Sequence, residues 1–297
     1  MAWAAVATGV AAPLLRRRLR LPTPVVTAAS VAAPVAMCIA TRRTPLRDAG
    51  TLLLQMWGYV AHYQMPNDDP ERLARRVRIG YPVRIDKLIG FGELPGVRLQ
   101  RLLARRGAIR RGDIVLVWSH WAWFAVPHGT VLWFLLRRRE RFPRVAAHIY
   151  SVFDLGLIGY WAIPTAPPWY AAQNGHAAPE LRRMMVEHGE VFWKSRWDPM
   201  FAFLGGNPLA AMPSLHFATS LMAAHMLSEA GPVPGAVGWT YALTLGFALV
   251  YLGEHYVVDL MAGAALTEGV RKGAPRVAPF ATRMSRRIQR MEAWAHA

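Results

Sequence analysis

The chain has 297 residues, of which 54% are hydrophobic, yet Lys and Arg outnumber Asp and Glu 35 to 18. A soluble domain seldom combines so much apolar content with so much positive charge, whereas apolar spans separated by basic loops produce both. The basic residues stand in runs between apolar segments, which argues against a nucleic-acid-binding surface, and the single cysteine, Cys38, excludes an intrachain disulfide.

In chain order, the stretch MAWAAVATGVAAPLLRRRLR carries its arginines after the apolar run and not before it, so it does not read as a cleaved signal peptide. Segment 24–40 is Ala/Val-rich and segment 48–65 is amphipathic. Both are weaker candidates for spans, and the second suits the membrane interface equally well. Pro66 to Pro70 signals a loop. Residues 71–111 hold twelve Lys/Arg against three acids, with apolar residues interleaved. That register fits a basic amphipathic layer on lipid headgroups as well as it fits a solvated charged helix.

Five further segments approach the roughly 20 residues that a spanning helix needs. They are 113–136, 145–163, 213–229, 236–253 and the short 255–270. Between the second and third lies the long loop 164–212, in which Gly205-Gly206-Asn207 reads as a turn. The five arginines of 137–144 and the basic tail after Gly269 belong on the cytoplasmic side, and the charge-balanced loop 164–212 belongs outside. Residues 71–111 oppose this parity. The expectation is an all-α, polytopic integral membrane bundle of about six spanning helices in the cell membrane, with a cytoplasmic C-terminus. It divides into an N-terminal membrane-associated region (1–112), a transmembrane bundle (113–270) and a basic tail (271–297).

Chemistry concentrates in two motifs. In Pro213-Ser214-Leu215-His216, proline suits a helix start, where the free amides and positive dipole make an anion site. Ser214 adds a hydroxyl, and His216 can move a proton. In His255-Tyr256-Val257-Val258-Asp259, an i,i+4 pair on a helix lies about 6 Å apart. Asp259 can then fix the tautomer of His255 and make its other nitrogen the better nucleophile. An acid in an apolar span points to function. Both helices start at the outer face, so His216 and His255 fall at similar depth. His120, His128 and Asp154 either line the site or bond neighbouring helices, the second being preferred. The aromatics of WSHWAWF read as an interfacial belt.

These motifs resemble the type 2 phosphatidic acid phosphatase superfamily. The strings GGNPLAAMPSLHFATS and GEHYVVDLMAG are most similar to its inositol phosphorylceramide synthase branch. The resemblance covers roughly 113–270. It implies that His255 is the nucleophile that forms a phosphohistidine, that Asp259 orients it, and that His216 protonates the leaving oxygen and then activates water or an alcohol. Ser214 and nearby amides would hold phosphate oxygens, with no metal and no cofactor. The family's third motif begins Ser-Arg, but those positions are Ala248 and Leu249 here, and the first motif, with its Lys and Arg, has no clear counterpart. Arg182 and Arg183 are the substrate-binding candidates for the missing charge, with Lys194 and Arg196 beside them in the loop.

Two reactions follow from the resemblance. One is transfer of a phospho-headgroup to a lipid or polyol acceptor. The other is hydrolysis of a lipid phosphate or polyprenyl (di)phosphate, and the two differ only in whether an alcohol or water resolves the intermediate. Two readings from other classes are a transporter or scaffold with a His/Asp proton relay, and a metal-dependent hydrolase using His216, His255 and Asp259 as ligands. Repeated halves and broken helices, the marks of many transporters, are not visible.

Overall fold

A computed structural model describes residues 1–297 except Arg106 and Gly205, and of residues 202–204 the backbone alone. Gly205 of the expected turn therefore lies outside the described residues. The chain forms two compact units. One holds Met1–Asp69, Leu135–Arg137 and Lys272–Ala297, and the other holds Pro70–Phe134 and Arg138–Arg271.

The described residues are helical, with no strand beyond isolated bridges. The first unit contains α1 (Ala2–Leu15), α2 (Thr23–Ala40) and α3 (Pro45–Gln64). The Trp57 indole N–H donates to the Val10 carbonyl, Thr27 and His62 share a hydrogen bond, and Arg16 and Arg17 both pair with Asp68.

The second unit begins with three short helices, α4 (Pro70–Arg76), α5 (Gly80–Ile89) and α6 (Pro95–Leu103). Next comes α7 (Arg111–Trp121), then a 3-10 turn (Ala122–Phe124), then α8 (Val126–Arg137). The expected span 113–136 is thus broken. Pro127 sits in the first turn of α8 because it has no N–H to give a continuing helix and its ring would clash with the preceding turn. α9 (Phe142–Ala162) leads into the long loop, which carries α10 (Pro168–Gln173), α11 (Met184–Trp193) and α12 (Trp197–Leu204). The two ends of that loop are tied to each other, and the first of them also to residue 78. Arg78 N–H donates to the Pro164 carbonyl and Thr165 N–H to the Leu209 carbonyl, while Ala166 and Ala211 return bonds to Arg78 and Thr165.

α13 (Leu215–Ala230), α14 (Pro232–Tyr251) and α15 (Val257–Ala295) complete the chain. Buried residues occur on every side of α13, from Leu215 to Met226, so it is the central helix of its unit. It packs backbone-close on α14. A Cβ added at Gly238 would lie 2.9 Å from Ala224 Cα, an approach that only a small residue allows.

Among the described residues, two helices are long and apolar enough to cross a membrane, α2 and α14. The expected count of about six fails this test for identifiable reasons. Segment 113–136 is split, α13 has only 16 residues, and α9 is interrupted by Arg144, His148 and Asp154. Of the expected short span 255–270, residues 257–270 are the first part of a 39-residue helix that continues through the basic tail.

Replacing Gly238 with Val should force α13 and α14 apart, at a cost of about 1–3 kcal/mol. The expected outcome is a lower thermal midpoint of the purified protein, and an unchanged midpoint would show that the close approach is not structurally important.

Candidate active site

The PSLH segment enters α13 through a cap. Ser214 is the N-cap, and its Oγ accepts from Phe217 N–H at 3.3 Å. Pro213 therefore precedes the cap and does not occupy the first turn. Ser214 N–H donates to the Asp259 backbone carbonyl at 3.0 Å, which joins the start of α13 to the start of α15. Gly263 permits this approach, since a Cβ there would lie 2.6 Å from the Ser214 carbonyl.

His255 is not on the helix that carries Asp259. It lies in the turn that reverses the chain from α14 into α15, a turn in which Gly253 takes φ +82°. The N–H groups of Glu254 and His255 both donate to the Leu249 carbonyl. The expected contact is nonetheless made. His255 Nδ1 lies 3.2 Å from Asp259 Oδ2, which also accepts from Tyr256 N–H at 2.9 Å. Asp259 is fully buried. A carboxylate only accepts, so His255 carries its proton on Nδ1 and presents a lone pair at Nε2. His216 Nδ1 faces that nitrogen at 3.2 Å. Asp259, His255 and His216 thus form one hydrogen-bonded chain.

The two predicted arginines diverge. Arg182 pairs with Glu187 and donates to the Arg105 carbonyl, away from the histidines. Arg183 forms a two-pronged pair with Glu254 at 2.9 and 3.1 Å, beside His255. Its guanidinium carbon lies over the Trp169 ring, 4.0 Å from the centroid, a cation–π contact. His128 stacks on Phe153 and reaches the Tyr150 hydroxyl at 3.3 Å, as a residue bonding a neighbouring helix does. His120 lies with its ring centroid 4.9 Å from that of His216. The aromatics expected as a belt include two that turn inward. Trp123 lies 4.3 Å from the His216 ring and donates to Thr219, and Trp121 packs among His188, Trp193 and Trp197.

Two positioning residues were missed in the sequence because they lie in the basic stretch 71–111. Asp86, 1% exposed on α5, accepts from both Val257 N–H and Val258 N–H at 2.9 Å and so caps α15. Burial pushes its carboxyl above the usual carboxylate range, while these two amides pull it back down. Gln100 on α6 donates to the carbonyls of Arg182 and Tyr251 and accepts from Arg182 N–H. It holds the Arg183 segment against the end of α14. A lone acid in the basic register RIDKLI is the one sequence signal that could have marked Asp86.

Residues 95–270, more than half of the chain, match the PAP2 superfamily. The chain belongs to this superfamily. A relative, the phosphoinositol dihydroceramide synthase of Bacteroides thetaiotaomicron, is 29% identical over 160 residues, covering 48% of this chain and 48% of the relative. The inositol phosphorylceramide synthase of Candida albicans is 33% identical over 121 residues, 38% of this chain and 25% of the relative. The catalytic subunit of the Saccharomyces cerevisiae inositol phosphorylceramide synthase is 30% identical over 120 residues, 38% and 29%. The chain spans about half the length of the bacterial relative and between a quarter and a third of the fungal ones. No solved structure matches it. The PAP2 membership and the synthase likeness both agree with the resemblance carried by PSLH and HYVVD.

Asp86→Ala removes the cap of α15 and should cost about 1–2 kcal/mol. A lowered thermal midpoint is expected, and a midpoint equal to that of the parent would remove Asp86 from the support of the site.

Proposed function

We propose that the chain is a membrane phosphotransferase that moves a phospho-headgroup, of the phosphoinositol class, from a glycerolipid donor to the hydroxyl of a ceramide-type lipid. The hydrogen-bonded chain from Asp259 through His255 to His216 carries the proposal. His255 Nε2 attacks phosphorus, an N–P bond forms, and the bond from phosphorus to the diacylglycerol oxygen breaks. His216 delivers a proton to that oxygen. The acceptor hydroxyl then attacks phosphorus, the N–P bond breaks, and His216 takes the acceptor's proton. Entry of the phosphoryl group replaces the hydrogen bond between the two histidines. Asp259 holds the His255 tautomer throughout, and no step is routed through a metal.

The names of the relatives support the choice of donor and acceptor. A phosphodiester also suits the site's charge. It carries one negative charge where a monoester carries up to two, and Arg183, already paired with Glu254, is the predicted arginine beside His255. Ser214 remains available as a donor, because capping α13 uses its oxygen and not its proton.

Membrane placement is supported by the helix surfaces. Leu132, Leu155, Ile158, Val237, Leu243 and Phe247 are exposed on α8, α9 and α14, an apolar exterior that lipid would cover. The charge distribution supports a site toward the extracytoplasmic face and a cytoplasmic tail after 270.

The test is headgroup transfer in detergent micelles, with labelled phosphatidylinositol and ceramide and with chelator present. Transfer by the parent is expected, with a loss of about 10³-fold or more in His255→Ala. Phosphate release from phosphatidic acid without any transfer would instead establish hydrolysis. Separately, Asp259→Asn should keep the fold and lower turnover by about 10²–10⁴-fold, since the His255 tautomer is no longer fixed. Full activity in that variant would exclude the orienting role.

A further inference from the structure

His120 is the one histidine beside the site that the family motifs leave without a task. It lies on the last turn of α7, is 6% exposed, and neither ring nitrogen has a hydrogen-bond partner among the described residues. Leaving a buried imidazole in this state is costly, so such a residue calls for an explanation. Helix-to-helix bonding, the preferred reading from sequence, is not what it does. Its ring instead lies 4.9 Å from the His216 ring and within electrostatic reach of His255, Glu254 and Arg183.

We propose that His120 is a third histidine of the active site, donating a hydrogen bond from its ring to a non-bridging oxygen of the transferred phosphoryl group. This rests on the phosphotransferase reading above. Every neutral imidazole has one N–H donor whichever tautomer it adopts, and phosphoryl oxygens only accept. The oxygens held at the start of α13 would meet an imidazole whose hydrogen-bonding capacity is still open. The same placement accounts for how the site works without the family's first-motif Lys and Arg. With Ala248 and Leu249 in place of the Ser-Arg of the third motif, a neutral donor in a dry site replaces part of the missing charge. Donors fixed in advance where charge develops contribute most when water is excluded.

Orthovanadate, which takes up the five-coordinate arrangement of a transferring phosphoryl group, is the probe. Thermal midpoints of the purified full chain are measured against vanadate concentration for the parent, His120→Phe and His120→Gln, and transfer is measured in parallel. The parent should be stabilised by vanadate. His120→Phe keeps the ring but loses both nitrogens, and should need at least about tenfold more vanadate and lose about 10²-fold or more in turnover. His120→Gln keeps an amide donor and should recover part of both. If His120→Phe does not fold, His120→Leu takes its place with the same expectation. A nitrogen-free variant that binds vanadate as the parent does overturns this inference, even where transfer is intact. A parent that binds vanadate through His120 yet transfers no headgroup overturns the proposed function alone.

Discussion

For His216 and His255 to share a hydrogen bond, the starts of two helices must lie within a side chain's length of each other, and a backbone bond holds them there. Ser214 N–H donates to the Asp259 carbonyl, so the residue that caps α13 is joined to the residue whose carboxylate is hydrogen-bonded to His255. Gly263 lets the two backbones approach, and Thr267 repeats the tie one turn further along by donating to the Ala218 carbonyl. A side chain at 263 would separate the helices and break the relay without touching any of its three members.

The relay also depends on elements outside it. Asp259 can orient His255 only if α15 begins where it does, and Asp86 fixes that start by accepting two of its first amides. A buried carboxylate is costly unless hydrogen-bonded, and a helix N-terminus is where such bonds and a favourable dipole occur together. Gln100 performs the corresponding task for the loop that carries Arg183, using both ends of its amide. The basic stretch that holds α5 and α6 is thus a support for the site, not only a charged surface layer.

Charge is sparse around the histidines. Arg183 is neutralised by Glu254 and braced on Trp169, and Arg182 is engaged with Glu187. On the proposed reading, an anion here is met mainly by oriented neutral donors, and that reading therefore takes a singly charged phosphodiester in preference to a dianionic monoester. The synthase likeness points in the same direction from independent information.

The sequence alone determined the helical class, the two motifs and the family, because these rest on residue identity and short spacing. PSLH and HYVVD carry their chemistry within five residues, and apolar runs specify helices locally. It also placed His216 and His255 together, from helix direction alone. The break of α7 from α8 at Pro127, the exit of His255 from its helix into the turn at Gly253, the inward packing of Trp123 and the exposure of the His216 ring to His120 were decided only in three dimensions. So was the part played by Asp86, whose partners at 257 and 258 stand 171 and 172 residues away. Such contacts depend on which helix faces meet, and helix meetings are set by packing between distant segments, which no local pattern encodes.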